Sequence, residues 1–428
     1  MTSEAPPASM RTRSREQLAD YLLDIGATLA SYGCPSYRLE DVIRAVAEAE
    51  GYRAEPFALP TGLFLRVVPR PDPGSSVGAL PATVPEVHRM TRLSEWGTDL
   101  DRLTEVDEIF NDVVERRATI EQARLRIRAV VEKAPVWPAG LVWAAATAAS
   151  ASAAVFFGGG LVDVLVSALV GAAIAGVRVL VDRDRRQKLL HDFLGGLLAA
   201  VCAWLATRAW HDARPEVIVL AGPIALFPGM TFTTGLSEVA QKNLVAGGAR
   251  LMESVVTLLL ILFGVALVSS FGRMGPAPVG AAAAPGAALG VGWQAAALVL
   301  SSIAFSVLFQ VPRRFLWAAL LSGATGYLVT AVAVRHLPEH VAAFCAALAV
   351  CVLANGLARA TNRPAQLYQL PGMMLLVPGS FGFTSLGAFL RHQMDVGAEK
   401  AFTMALVGAA LVIGVLVANV VMPPRKLL

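Results

Sequence analysis

The chain has 428 residues, of which 55% are hydrophobic and 16% are charged, and its mean hydropathy is +0.58. Soluble globular proteins carry about 25% charged residues, so this composition argues against a soluble protein and predicts an integral membrane protein. The net charge of +4 suits a protein that faces an anionic inner leaflet. We therefore expect membrane lipid as a partner and no nucleic acid.

Residues 1–138 hold most of the acidic residues and no apolar run of span length. The hydrophobic patterns predict helices over "SREQLADYLLDIGATLASYG" and "SYRLEDVIRAVAEAEG", the second capped by Ser36, and a third helix from Thr98 to Glu132. The stretches "FALPTGLFLRVVPR" and "PATVPEVHRMTRLS" are each predicted to form a strand. We therefore expect a small cytoplasmic α+β domain.

Ten apolar segments follow, each of about the 20 residues that a helix needs to cross a bilayer. They divide into a first repeat over 139–272 and a second over 291–428, joined by an Ala/Pro/Gly-rich linker over 273–290. The predicted spans lie near 139–157, 161–181, 190–208, 216–234 and 250–271, and then near 291–309, 315–334, 340–357, 366–385 and 401–422.

The two sets of spans coincide when the chain is shifted by 150 residues, which brings Pro228-Gly229 onto Pro378-Gly379. Because each set has an odd number of spans, the second set must enter the membrane from the opposite side. Inverted repeats of this kind are typical of secondary transporters. The predicted fold is therefore an all-α integral membrane protein of ten transmembrane helices in two inverted five-helix repeats, with the small N-terminal α+β domain.

A Pro-Gly pair interrupts one span in each repeat, at Pro228-Gly229 in "LFPGMTFTTG" and at Pro378-Gly379 in "LVPGSFGFTS". A backbone that is broken at membrane depth must find hydrogen-bond partners inside the protein or in a wet cavity. The exposed N–H groups can hold a carboxylate, so we predict the substrate site at these breaks. Nearby hydroxyls either bind the ligand or bond back to the helix. The hydroxyl candidates are Thr231, Thr233, Thr234, Ser380, Thr384 and Ser385.

Ionisable groups inside a membrane are functional candidates. Glu238 follows the first break directly, and Glu253 lies one turn after Arg250. A glutamate that changes charge as access alternates could carry a proton, so Glu238 is the first candidate for coupling. For Glu253, an ion pair with Arg250 at the membrane interface is the alternative.

Other acidic groups near the spans are Asp163 and the His191-Asp192 pair, for which we expect solvation at the interface. No Walker motif occurs, so ATP is not expected to drive the protein. The four cysteines lack CxxC spacing, so we predict no metal site. We also expect no cofactor and no catalytic residues.

Loop charges predict the orientation. If the N-terminus is cytoplasmic, the inner loops and tail hold 13 Lys and Arg residues, against 6 in the outer loops. By the positive-inside rule both termini are then cytoplasmic, in a multi-pass protein of the cell (plasma or inner) membrane. The inner residues are Arg178, Arg183, Arg185, Arg186, Lys188, Lys242, Arg250, Arg313, Arg314, Arg359, Arg363, Arg425 and Lys426.

Three stretches together resemble one family. "FPGMTFTTGLSEVAQKNLVAGGARLMES" resembles the signature of the threonine/serine exporter family, "LLDIGATLASYGCPSYRLEDVIRAVAEAEG" resembles the start of its N-terminal portion, and "LVPGSFGFTSLGAFL" resembles its C-terminal portion. The resemblance implies a proton-motive-force-driven exporter of small hydroxy amino acids. By this resemblance, family motif positions are matched by Pro228, Gly229, Arg250 and Glu253, and Glu238 stands where an aspartate is common.

The predicted function is therefore secondary active export of threonine and serine, with a small-molecule amino acid as substrate and a homo-oligomer possible. The first alternative is an exporter of small mono- or dicarboxylates. A membrane-embedded enzyme is a further alternative, against which stands the absence of nucleophile–base spacing. A passive channel is the last, and it would not need paired breaks.

Overall fold

A computed structural model describes residues 8–69, 86–93, 97–181, 190–271 and 289–424. The chain divides into two compact units. One contains the N-terminal helices and sheet together with Glu238–Ala249, and the other contains Val136–Ser237 and Arg250–Arg425. Several predictions lie outside the described residues, namely those for the linker up to residue 288 and for Arg183, Arg185, Arg186, Lys188, Arg425 and Lys426.

The N-terminal unit combines helices with a three-stranded antiparallel sheet in the order β1-β2-β3. Leu18, Leu22, Ile25 and Leu29 recur every three or four residues on the first helix and are all buried, because this apolar face packs on the second and third strands. The described elements of this unit are α1 (Ala8–Ser31), α2 (Ser36–Ala49), β1 (Tyr52–Leu59), β2 (Gly62–Pro69), β3 (Val87–Arg92), α3 (Leu100–Val114) and α4 (Ile120–Glu132).

Three local predictions for this unit were wrong. The first predicted strand is the hairpin β1–β2, in which Leu59 pairs with Gly62 across a two-residue turn. The helix predicted from residue 98 to residue 132 is divided into α3 and α4, because Arg116 adopts a left-handed φ of 59°. Ser36 is the first helical residue of α2 and not its cap. Pro35 occupies the N-cap position without a side-chain cap bond.

Helices joined by turns and short loops make up the membrane unit, and its described residues include no strand. Its helices are α5 (Ala139–Phe156), α6 (Leu161–Val181), α7 (His191–Ala209), α8 (Pro215–Ala221), α9 (Gly229–Ala240), α10 (Leu244–Phe271), α11 (Val291–Leu308), α12 (Leu316–Ala333), α13 (Glu339–Thr361), α14 (Gln366–Met373), α15 (Gly379–Leu390) and α16 (Met394–Val421). The end of α9 and the start of α10 belong to the N-terminal unit.

Eight helices in the described part of the chain are long and apolar enough to cross a membrane, so this is a multi-pass helical membrane protein. A ninth span results if Pro215–Ala221 and Ile224–Ala240, which are bent by 43°, count as one. The predicted spans near 216–234 and 366–385 are not continuous helices. Each is divided near its Pro-Gly pair, because proline lacks the N–H that the helical ladder needs. The count of ten spans stays a prediction.

The last span of each predicted repeat begins earlier than expected. The predictions near 250–271 and 401–422 correspond to α10 and α16, which start at Leu244 and Met394. The apolar runs at these starts are interrupted by Gly247, Gly248 and Arg250 in α10 and by Asp395, Glu399 and Lys400 in α16, so apolar length alone missed the first turns.

Two pairs of helices in the two halves begin 150 residues apart. Helices α9 and α15 have 12 residues each and begin at Gly229 and Gly379. Helices α10 and α16 have 28 residues each and begin at Leu244 and Met394. The same local structure therefore occurs twice at the matched positions.

Candidate functional site

The two Pro-Gly breaks lie against each other within the membrane unit. A Cβ atom added to Gly229 would lie 2.0 Å from Cγ1 of Val377, and one added to Gly379 would lie 3.1 Å from Cβ of Phe227. The glycines therefore allow the two interrupted segments to approach closely. Next to this contact the ring of Phe227 stacks on that of Phe383, with 5.1 Å between centroids.

A cavity of about 320 Å³ adjoins the contact between the breaks and is lined by Gly229, Gly379 and Ser380. We call it the neutral cavity, because no charged side chain is among its described lining residues. Its volume falls in the range of about 300–1,000 Å³ that is typical of small-molecule sites. The rest of its wall comes mainly from α5, α11 and α12, which bring aromatic and aliphatic side chains to it.

Three polar side chains of the neutral cavity were not predicted from the sequence. The hydroxyl of Tyr327 donates to Oε1 of Gln294 at 3.1 Å, and Ser301 also lines the wall. Buried polar groups in a mostly apolar pocket fix the orientation of a ligand. The signal that could have found Gln294 is its isolated position in the apolar run "VGWQAAALVL".

A second cavity, of about 420 Å³, is lined by Pro228, Met230 and Thr231 at the start of α9. Phe227 and Met374 line both this cavity and the neutral one. These two side chains therefore form part of the wall that separates the cavities.

Charged side chains line the second cavity, which we call the charged cavity. Arg178 comes from the last turn of α6, His191 and Asp192 come from the first turn of α7, and Thr257 comes from α10. Nδ1 of His191 lies 3.8 Å from Oδ1 of Asp192. The sequence predicted interfacial solvation for this pair, and in the structure both side chains are partly buried and line this cavity beside the first break.

The first N–H groups of both broken helices precede the helical hydrogen-bond ladder. In α9 the first bond runs from the N–H of Phe232 to the carbonyl of Pro228 at 2.9 Å, and in α15 from the N–H of Phe381 to the carbonyl of Pro378 at 3.1 Å. N–H groups at a helix start carry partial positive charge and favour anions. Met230 and Thr231 thus bring such groups to the charged cavity.

The predicted hydroxyls do not all lie at a cavity. Thr231 lines the charged cavity and Ser380 the neutral one, whereas Thr234 lines neither. The others bond to backbone carbonyls: Thr233 to Gly229 at 2.9 Å, Thr384 to Phe381 at 3.0 Å and Ser385 to Gly397 at 2.7 Å.

Glu238 is fully buried, at 0% exposure, in the last turn of α9. Its Oε1 accepts a hydrogen bond from the backbone N–H of Ser36 at 2.9 Å. Both residues belong to the N-terminal unit. A carboxylate at a helix N-terminus satisfies an N–H group that lacks a helical partner and interacts favourably with the helix dipole. Glu238 therefore supplies for α2 the N-terminal acceptor that the sequence assigned to the Ser36 side chain.

Asp163 was expected in interfacial solvent, but it is fully buried. Its carboxylate accepts hydrogen bonds from the backbone N–H of Gly160 at 2.9 Å and of Arg214 at 2.7 Å. The side chain of Arg214 adds an ion pair, in which its Nε lies 3.3 Å from Oδ2 of Asp163. Because the carboxylate is shielded from solvent, these groups replace water as its partners.

Arg250 and Glu253 are both partly buried near the start of α10. They lie three residues apart, and Thr257 of the charged cavity lies one turn after Glu253 on the same face. In the described residues no three His, Cys, Asp or Glu side chains are placed to hold a metal ion.

The sequence matches two family models over most of its length. The model described as "Putative threonine/serine exporter" matches residues 20–272, and the model described as "Threonine/Serine exporter, ThrE" matches residues 294–421. The two matches include both breaks and both cavities.

Curated relatives are distant. The chain is 24% identical over 357 residues to a "Probable threonine/serine exporter" of Mycobacterium tuberculosis, covering 80% of this chain and 67% of that protein. It is 22% identical over 448 residues to an uncharacterized protein of Schizosaccharomyces pombe, covering 97% of this chain and 52% of that protein. It is also 24% identical to pheromone-regulated membrane protein 10 of Saccharomyces cerevisiae, over 84% of this chain and 46% of that protein.

The chain thus spans about half the length of the two fungal relatives. No solved structure matches it.

Proposed function

Because the chain belongs to the threonine/serine exporter family, we propose that it is a secondary active exporter of threonine, serine or a close relative. The observation that carries this proposal is the pair of cavities at the contact between the breaks, which share Phe227 and Met374 as part of one wall. Alternating access needs a site that opens to one side at a time. A motion of this kind would have to open the wall that the two cavities share.

The two halves act as inverted repeats in this proposal. Support comes from the displacement of 150 residues between Gly229 and Gly379, which begin matching 12-residue helices. With five segments in each half, the second half has the opposite orientation, and the breaks meet near the middle of the membrane. Secondary transporters with inverted repeats bind their substrates at such a place.

The substrate's carboxylate binds at the helix starts of the breaks. Met230 and Thr231 offer N–H groups in the charged cavity, and Gly379 and Ser380 offer them in the neutral cavity. The hydroxyls of Thr231 and Ser380 are placed to bind the hydroxyl of threonine or serine. Thr233 and Thr384 stabilise the broken helices through their backbone bonds.

Both termini are cytoplasmic in this proposal, and the protein lies in the cell membrane. Arg178 and Asp192 then lie near the inner surface, because they flank the loop that carries four of the inner cations. A reporter fused after Leu428 should be cytoplasmic, and one within 276–290 should be external. A cytoplasmic signal from the linker would contradict the inverted-repeat arrangement.

Proton coupling is assigned to a carboxylate near the first break, with Glu238 as the first candidate and Glu253, beside Arg250, as the second. Glu238→Gln removes the ionisable group but keeps an acceptor for the N–H of Ser36. We expect this variant to lose transport driven by a pH gradient and to keep substrate exchange at equal pH. If gradient-driven transport continues at the wild-type rate, Glu253→Gln becomes the decisive variant.

Counterflow in proteoliposomes tests the substrate class. The purified full-length chain is offered a panel of amino acids and small organic acids, and we expect the strongest exchange with threonine and serine. Exporters of small mono- or dicarboxylates are the competing class, since helix N-termini accept any carboxylate. Exchange of organic acids in preference to threonine and serine would replace the proposal with that class.

A further inference from the structure

The charged cavity has a wall of mixed charge that the neutral cavity lacks. Its described lining includes one guanidinium, from Arg178, and one carboxylate, from Asp192, with the imidazole of His191 between them in the chain. Among the described lining residues of the neutral cavity, the side chains with hydrogen-bonding groups are uncharged, namely Gln294, Ser301, Tyr327 and Ser380. The charged cavity is therefore the one suited to a ligand with charges of both signs.

The carboxylate of Asp192 is not used in hydrogen bonds that hold the described part of the fold together. Within the described residues it makes no hydrogen bond, and its one contact of ion-pair length is the 3.8 Å contact with Nδ1 of His191. By contrast, Asp163 accepts bonds from Gly160 and Arg214, and Glu238 accepts one from Ser36. Asp192 thus remains available to a ligand in the cavity.

The same cavity offers partners for each group of a small hydroxy amino acid. The helix start at Met230 and Thr231 suits its carboxylate, and the hydroxyls of Thr231 and Thr257 suit its hydroxyl. Its ammonium group needs an acceptor, and a charge-assisted bond to a carboxylate is the strong form of that contact. Asp192 is the only carboxylate among the described lining residues.

We propose that Asp192 binds the substrate's ammonium group and makes the charged cavity select α-amino acids over carboxylic acids that lack the amine. This assignment rests on the proposed export function. It adds a specificity-determining residue that the matched breaks alone do not supply. When a carboxylic acid without an amine binds, it covers the carboxylate of Asp192 but donates no hydrogen bond to it. Leaving a charged group unpaired in this way is unfavourable.

The test compares threonine with 3-hydroxybutanoate, which is threonine without its amine, in counterflow by the reconstituted full-length chain. Asp192→Asn should raise the half-saturation concentration for threonine about 10- to 100-fold, the usual effect of losing a bond to a charged group. The value for 3-hydroxybutanoate should stay unchanged or fall. Asp192→Glu should keep much of the wild-type preference, because it keeps the charge. Asp395→Asn is the matched control, since Asp395 is exposed and lines neither cavity.

Each outcome separates this inference from the export proposal. If the wild type exchanges neither threonine nor serine, the export proposal fails. If the wild type prefers threonine and Asp192→Asn keeps the same preference, only the assignment of Asp192 is overturned. Should Asp192→Asn not fold, competition in the wild type decides: 3-hydroxybutanoate should inhibit threonine exchange at least about 10-fold more weakly than serine does. Equal inhibition would overturn the assignment.

Discussion

Helices α9 and α15 have the same length and begin at equivalent glycines, yet their surroundings differ at both ends. The start of α9 lines the charged cavity through Met230 and Thr231, whereas Ser380 of α15 lines the neutral cavity. Near the end of α9, Glu238 accepts a bond from Ser36. The equivalent residue of α15 is Ala388, which is buried and has no group that could do so.

The comparison separates what the two halves share from what makes them different. The break itself is common to both, because it follows from a Pro-Gly pair in the backbone. Among the described lining residues of the two cavities, charged side chains occur only in the charged cavity, and Glu238 at the end of α9 has no equivalent acid in α15. We therefore propose that the matched breaks provide the site, and that side chains present in only one half provide direction and selectivity.

The largest expected effect concerns the wall between the cavities. Phe227→Ala should join the neutral and charged cavities, because Phe227 lines both. We expect substrate to leak down its gradient without a driving force, together with a loss of about 3–5 kcal/mol of stability for a buried Phe→Ala change. Leak is measured as uptake into proteoliposomes without ion gradients, and stability as thermal unfolding in detergent.

The equivalent residue of the second half is the control for this change. Val377 lines only the neutral cavity, so Val377→Ala should not cause a leak. Equal leakage in Phe227→Ala and Val377→Ala would mean that Phe227 is not the side chain that keeps the two cavities apart.

The next effect concerns the contact between the breaks. Gly229→Ala should cost about 1–3 kcal/mol through overpacking and lower export at least several-fold, because its Cβ would lie 2.0 Å from Val377. Gly379→Ala should cost less, since the nearest atom to its Cβ is 3.1 Å away. Gly248→Ala is the control, because a Cβ there meets nothing within 4 Å. An effect at residue 379 as large as that at residue 229 would contradict the closer packing at Gly229.

A smaller effect is expected from the link at the end of α9. Glu238→Ala leaves the N–H of Ser36 without this acceptor, at a cost of about 1–3 kcal/mol for an unsatisfied buried group. Glu238→Gln should cost less, because its amide oxygen can still accept the bond. Hydrogen exchange in the first turn of α2 measures the difference. Equal protection in both variants would show that the bond does not stabilise α2.

The smallest effect is expected at Asp112, a surface carboxylate that serves as a contrast to the buried carboxylate of Glu238. Hydrogen bonds from Arg126 lower the pKa of Asp112, with Arg117 contributing further. Asp112→Asn should cost at most about 1 kcal/mol at pH 7, because exposed ion pairs are screened. This contribution is complete above pH about 4, the unfolded pKa, and is lost as the pH falls through the lower folded pKa. The unfolding temperatures of the wild type and Asp112→Asn should therefore become equal in acid. A difference that persists there would mean that the ion pairs of Asp112 are not its cause.

Much of the fold follows from local sequence patterns. Eight helices match predicted spans because a run of apolar residues of membrane length has few alternatives to a helix. The hairpin at Leu59–Gly62 and the division at Arg116 were missed. Both depend on turn conformations that hydrophobic periodicity does not encode. The sequence offered the hydroxyl candidates as one group, and it did not indicate which of them line a cavity and which bond to the backbone.

The sequence alone determined that the chain crosses a membrane and where its helices break, because hydropathy and the missing N–H of proline act within a few residues. Only the tertiary structure decided which acid faces a cavity and which supports the fold. Glu238 lies next to Ser36 across 202 residues of chain, and Asp163 lies next to Arg214 across 51. Such partners arise from packing between distant segments, and that packing leaves Asp192 in the cavity wall.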